Sequence, residues 1–266
     1  MQITRRIALA MIGAGLMVGG VVQTAAAQTV EDIKSNGTVK IGMLVDFPPF
    51  GIMNESNQPD GYDADVAKLL AGDMGVEVNI VPVTGPNRIP YLLSGQVDLL
   101  VASLGITQER AKSVAFSEPY AGISIAVFGA EDVDVSKPED LSGKTIGVAR
   151  ASTQDVAVTK IAPQDASIQR FDDDASAVQA LLSGQVELIG VSNVVAAQIE
   201  QAAPGRFTEK LPLSQQVQGI AVRPGSTELL AYVNEFLKKV KADGQLNAIH
   251  EKWLGSPMPD FVGASK

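Results

Sequence analysis

Residues 91–103, YLLSGQVDLLVAS, and residues 180–192, ALLSGQVELIGVS, are two copies of one phrase set 89 positions apart. In each, apolar residues at helical spacing run into a Ser-Gly pair. A short apolar run carrying one acid, Asp98 or Glu187, follows. Gly95 and Gly184 suit the left-handed position that ends a helix. The run after each glycine is short and apolar enough for a strand buried on both faces. Each copy therefore predicts a helix, a tight turn and a strand.

The surroundings extend the pattern. KIGMLV, VEVNIVPV and VDLLVA alternate with the helical stretches DADVAKLLAGDM and NRIPYLLS. TIGVA, SIQRF and VELIGV then alternate with TQDVAVTKIA and SAVQALLS. Such alternation predicts parallel sheets covered by helices. The expected fold class is α/β, with two similar Rossmann-like lobes. Ligands in such sheets sit beyond the carboxyl ends of the strands, so two lobes facing each other there form a ligand cleft. Chain crossings near residues 120–129 and 215–223 would make a two-crossing hinge. The first lobe would then comprise residues 28–124 plus 219–266, and the second residues 125–218. The closing helices, STELLAYVNEFLKKVKADG and QLNAIHEKWLG, are expected on the first lobe.

Residues 1–27 read as a secretory signal peptide. Arg5 and Arg6 precede an uncharged run from Ile7 to Val22, and Ala25-Ala26-Ala27 offers small residues for a peptidase. The run is shorter than the ~20 residues that span a bilayer, and the Arg pair leaves the twin-arginine route open. Removing the peptide takes the net charge from −9 to −11. An acidic exported protein is a poor match for nucleic acid or anionic lipid. With no cysteine there is neither a disulfide framework nor a thiol nucleophile. No metal-ligand spacing appears, no cofactor is expected, and a periplasmic monomer is the simplest outcome.

Candidate ligand contacts gather at strand ends and helix starts. Phe47 lies in the stiff loop Asp46-Phe47-Pro48-Pro49-Phe50, and Tyr62 precedes a helix that Asp63 could cap. Ser103, Leu104 and Gly105 end one repeated strand; Ser192 and Asn193 end the other. Thr107 reads as an N-cap with Arg110 in the first turn. A cation there is unfavourable unless an anion joins it, when helix amides and guanidinium together clamp a carboxylate. The alternative for Arg110 is a surface pair with Glu109 or Glu118. Ser152 and Thr153 open another helix, as caps or as ligand contacts. Asp174 either helps to cap the next helix or meets a ligand ammonium. The single histidine, His250, is remote from these motifs and reads as structural.

IGMLVDFPPF, GYDADVAKLLA, SGQVDLLVASLGITQERAKSVAFSEPY, EDLSGKTIGVARASTQD and the helix ending in HEKWLG together resemble the extracellular solute-binding proteins of bacterial polar amino-acid ABC importers. The resemblance covers nearly all of the chain after residue 27. It implies a periplasmic binding protein of type II that closes on one amino acid and docks on a membrane permease. It further implies that Phe47 stacks on the ligand, that Tyr62 faces it, and that Arg110 grips the α-carboxylate with help from Gly105 amides and Thr153. Relatives often carry a hydroxyl at Gly105 and an ammonium-binding Asp at Ser192, so this chain departs at both places. TGPNRIPYLL is similar to the aspartate/glutamate-binding members, in which Arg88 would approach a side-chain carboxylate. A polar, including an acidic, amino acid is the implied ligand; the alternative for Arg88 is a pair with an acid at the cleft rim. Some dehydratases acting on small carboxylates share the architecture and form the rival class, although no nucleophile–base constellation appears.

Overall fold

A computed structural model describes residues 27–263; the expected signal peptide lies outside the described residues except for Ala27. The first lobe opens with α1 (Val30–Asn36), β1 (Thr38–Leu44) and a small hairpin of β2 (Ile52–Met53) and β3 (Pro59–Asp60). Then come α2 (Tyr62–Met74), β4 (Glu77–Val83), α3 (Arg88–Leu93) and β5 (Leu99–Leu100). A long strand, β6 (Ala115–Ala130), leads to β7 (Thr145–Ala149), α4 (Thr153–Ile161), β8 (Ser167–Phe171), α5 (Asp174–Leu182), β9 (Leu188–Ser192) and α6 (Asn193–Ala202). A second long strand, β10 (Phe207–Val222), returns to α7 (Thr227–Ala242), α8 (Gln245–Leu254) and α9 (Asp260–Gly263).

The main sheet runs β4-β1-β5-β10-β6-β9-β7-β8. Its ends are matched: β1 lies parallel between β4 and β5, and β7 lies parallel between β8 and β9. Between them β10 and β6 pair antiparallel over nearly their whole length, with bulges along the ladder. The lobe boundaries expected at 124/125 and 218/219 fall inside these two strands.

The repeated phrase does the same work twice. Gly95 and Gly184 both turn at φ +76°, a conformation cheap only for glycine. The acid after each turn then pins its strand to the first strand of its lobe. The Lys40 amide donates to the Asp98 carboxylate at 2.8 Å, and the Thr145 amide donates to Glu187 at 3.0 Å. Each acid returns its own amide to the carbonyl of the same residue. A side chain thus extends the parallel ladder where backbone alone would leave a donor unpaired.

α7 and α8 pack on α2 and β6 in the first lobe. Lys252 Nζ and Trp253 Nε1 both donate to Asp65, at 2.6 and 2.8 Å. His250 is buried, with Nδ1 2.6 Å from the Ser256 carbonyl and its ring edge-on to Tyr62. That is a structural histidine.

The start of α2 differs from expectation. Gly61, not Asp63, occupies the cap position, and Asp63 turns into the core with no exposure. It accepts from the Tyr120 hydroxyl at 2.6 Å and the Ser103 hydroxyl at 2.8 Å, while the Tyr120 oxygen accepts from the Ser103 amide at 3.1 Å. Burial pushes the Asp63 carboxyl up to about 6, against the pull of those hydrogen bonds. This network fixes the tip of β5 and hence the cleft floor. Tyr120→Phe removes one donor and one acceptor from it. The expected loss is about 1–3 kcal/mol, or a Tm lowered by roughly 2–10 °C for a chain of this size. An unchanged melting temperature would show that the network does not hold the strand tip.

Candidate functional site

The cleft lies where both sets of parallel strands end. Its lining includes Asp46, Phe47, Arg88, Ser103 and Arg110 from the first lobe, Arg150, Ser152, Thr153, Gln154 and Asp174 from the second, and Gln218 from β10. The lobes touch across it. Thr153 packs so closely on Gly105 that a Cβ there would sit 2.7 Å from the threonine methyl. The Gln198 amide of α6 reaches the Pro48 carbonyl at 2.5 Å.

Arg110 enters from a segment that forms one turn of 3-10 helix, Arg110–Lys112, rather than the α-helix expected. Glu109, not Thr107 as expected, takes the cap position, although the Thr107 hydroxyl accepts from the Arg110 amide at 3.2 Å. A single turn offers no macrodipole to bind an anion, so recognition there falls to the guanidinium. That group is half-buried. Nη1 donates to the Gly105 carbonyl at 2.8 Å and Nη2 crosses the cleft to the Ala151 carbonyl at 2.7 Å. Arg88 is buried and donates to the carbonyls of Ala102, Gly85 and Ala151, at 2.9, 3.2 and 3.4 Å. One carbonyl thus accepts from both arginines. Ala151 holds a left-handed φ of +58°, which costs an alanine about 1–2 kcal/mol. Burial, then the neighbouring Arg88, lowers Arg110 to about 9; burial lowers Arg88 to about 10 despite nearby carboxylates.

The other expected contacts divide. Phe47 lines the cleft, with its inner face stacked on Phe50 at 5.5 Å. Ser152 caps α4, accepting from the Asp155 amide at 3.0 Å, and Thr153 follows it, buried. Ser103 stands at the β5 tip with φ +47°. Asp174 is the first residue of α5, capped by Asp173. Tyr62 departs from expectation. It is fully buried beneath Phe50, and its hydroxyl donates to the Tyr120 carbonyl at 2.8 Å. It supports the aromatic loop and does not line the cleft. Leu104 and Gly105 contribute backbone: their carbonyls accept from the Gly219 amide and from Arg110. Ser192 is fully buried as the cap of α6, and Asn193 accepts from the Ser124 amide on another face. Neither lies in the cleft lining.

Several lining residues, Asp46, Gln154 and Gln218 among them, escaped the reading of the sequence as contacts. Asp46 lies two residues beyond the β1 end, a position that could have flagged it. Gln218 gave no signal, because a glutamine in a strand reads as an ordinary polar residue. It is 1% exposed, and neither amide atom has a partner among the described residues. Within those residues no cluster of His, Cys, Asp and Glu could hold a metal ion, and no helix is long and apolar enough to cross a membrane.

The model of the bacterial extracellular solute-binding proteins, family 3, matches residues 39–256. The chain belongs to that family. It is 27% identical over 256 residues to the L-cystine-binding protein TcyJ of Escherichia coli K12, covering 95% of this chain and 96% of that protein. The glutamine-binding protein GlnH of Bacillus subtilis is 32% identical over 231 residues, covering 85% and 84% of the two chains. A solved L-cysteine receptor of Neisseria gonorrhoeae superposes with a TM-score of 0.80 at 31% identity, over 85% of this chain and 94% of that one. These relatives are amino-acid-binding proteins rather than enzymes, and the family fold is the two-lobed α/β architecture described above.

Asp174 tests the electrostatics of this solute-binding cleft. Burial, with the nearby Asp46 charge, pushes its carboxyl up to about 7. In the ligand-free protein, carboxyl-carbon NMR should place its midpoint near that value, and Asp46→Asn should lower it. A midpoint near the ordinary ~3.9 would mean that water reaches the group freely.

Proposed function

We propose that this protein is the periplasmic binding component of an amino-acid ABC importer. Its two lobes close on a polar amino acid, and a membrane permease reads the closed form. The reading rests on one observation: Arg110 and Arg88 lie in the same cleft, and the hydrogen bonds of both go to neutral carbonyls. Two cations in low dielectric without a bonded anion favour a ligand carboxylate. Arg110, the less committed of the two, is the residue that would grip it, with Phe47, Ser103 and Thr153 around the rest of the ligand. The named relatives differ in side chain but share the α-carboxylate, which fits that assignment. An acidic side chain is less well supported. Arg88 commits three of its five N–H donors to backbone, and Asp46 and Asp174 would repel a second carboxylate.

The signal-like N-terminus supports export, cleavage after Ala27 and a periplasmic site of action. Ligand contacts on both lobes would bias an open–closed equilibrium, so no catalysis is needed. The acidic net charge favours a small-molecule ligand and a permease over nucleic acid, and the mature chain is read as a monomer.

A thermal-shift screen against the common amino acids tests this. A ligand at 100 times its Kd should add about 2.7 kcal/mol of stability. Arg110→Ala should abolish the response to every amino acid while keeping a native circular dichroism spectrum. A folded variant that still responds fully would remove Arg110 from the site.

A further inference from the structure

We propose that Asp46 and Asp174 form a cation subsite split between the lobes, and that a positively charged nitrogen of the ligand bridges them and permits closure. The inference rests on the amino-acid reading above and extends it to the other end of the ligand.

Asp46 follows β1 in the first lobe, and Asp174 opens α5 in the second. Both line the main cleft and also an adjoining hollow edged by Val178, Leu182 and Val195. They therefore stand where the two compartments meet. The Asp174 Oδ1 atom is shielded from solvent and has no hydrogen-bond partner among the described residues. Gln218 points independently to a ligand, since both atoms of its buried amide lack partners and it lines the same cleft. A buried polar atom left unpaired costs about 1–3 kcal/mol, so a ligand that pairs these atoms recovers that cost.

Arg88 is the rival counterion. Its charge is felt by both carboxylates, but its hydrogen bonds go to Gly85, Ala102 and Ala151. It moderates the repulsion without pairing Asp174 Oδ1. Bringing Asp46 up to Asp174 across the cleft therefore sets like charges together in a poorly solvated place. A cation between them reverses the sign of that interaction. Ser192 cannot do this work, being neutral, buried and engaged as the α6 cap. An ammonium and a guanidinium share the required chemistry, and the experiment separates the α-amino group from a side-chain cation.

The mature protein is titrated calorimetrically with L-arginine, its neutral isostere L-citrulline, L-lysine, L-glutamine, L-cystine and the N-acetyl derivatives of each. The same titrations are run on Asp46→Asn, Asp174→Asn and the double variant. Asp174→Asn should weaken the cation-bearing ligand at least tenfold and leave its neutral counterpart within twofold. Selective loss among N-acetyl pairs identifies the α-ammonium, and loss in the arginine–citrulline pair identifies a side-chain cation. Small-angle scattering of the ligand-free proteins supplies a readout that needs no ligand. The double variant should be more closed, with a smaller radius of gyration than the wild type. Equal radii together with cation-ligand affinities unchanged within twofold would overturn the subsite. If no amino acid binds the wild type, the amino-acid reading fails, and scattering alone decides whether the pair opposes closure.

Discussion

The antiparallel pairing of β6 with β10 is the contact on which the rest depends. Each strand spans 16 residues, and each serves both halves. β10 joins β5 at one end of the ladder, and β6 joins β9 at the other. This joins two parallel three-stranded units into one continuous sheet. It also turns their carboxyl ends toward a common gap. Without a shared ladder the halves would be two small α/β units with no fixed relation, and no residue of one would reliably meet a residue of the other. Pairing within the ladder is irregular at several points, including shifts around Gly219. Bulges weaken and bend a ladder without breaking it.

The cleft is a place of unequal charge balance. Three arginines and several aspartates line it, yet Arg88 and Arg110 bond to backbone carbonyls, and Asp174 keeps an oxygen unpaired. Fully satisfied internal ion pairs would make a stable wall and a poor receptor. Arg150 lies 3.8 Å from Asp172, whereas Arg88 and Arg110 are held by the scaffold without a paired carboxylate. Under the proposed reading, a ligand with a carboxylate at one end and a cation at the other would meet a complementary charge at each end. The Ala151 carbonyl accepts from both arginines of the first lobe, and its residue holds a left-handed backbone.

The aromatic cluster beneath the cleft has a separate role. Phe47, Phe50 and Tyr62 stack or meet edge to face, and Tyr62 continues to Tyr120 and His250. Phe47 is the only one of these that lines the cleft. The others fix its orientation through close packing, which resists deformation. The buried Asp63 network lies alongside and ties Ser103 to the same block.

The sequence alone determined the strand and helix alternation, because burial on both faces and helical periodicity are local signals. β7 and β8 fall on the stretches TIGVA and SIQRF, and the twin glycines turn as their positions demand. The repeated phrase also led to the expectation of two matched lobes, and the crossings expected near 120–129 and 215–223 fall largely on the two long paired strands. Arg110 could be singled out because a cation in a first helical turn is locally incongruous, whereas Asp174 was legible only as one of two alternatives, a cap or a ligand contact. Only the tertiary structure could decide where side chains go at those ends. Tyr62 and Asp63 face inward because Tyr120, 57 residues from Asp63 along the chain, arrives there with the hinge strand. Ser192 turns to its own helix, and Gln218 faces the cleft because its strand lies opposite Gly105. Such outcomes depend on contacts distant in sequence, whose distances and desolvation no local pattern carries.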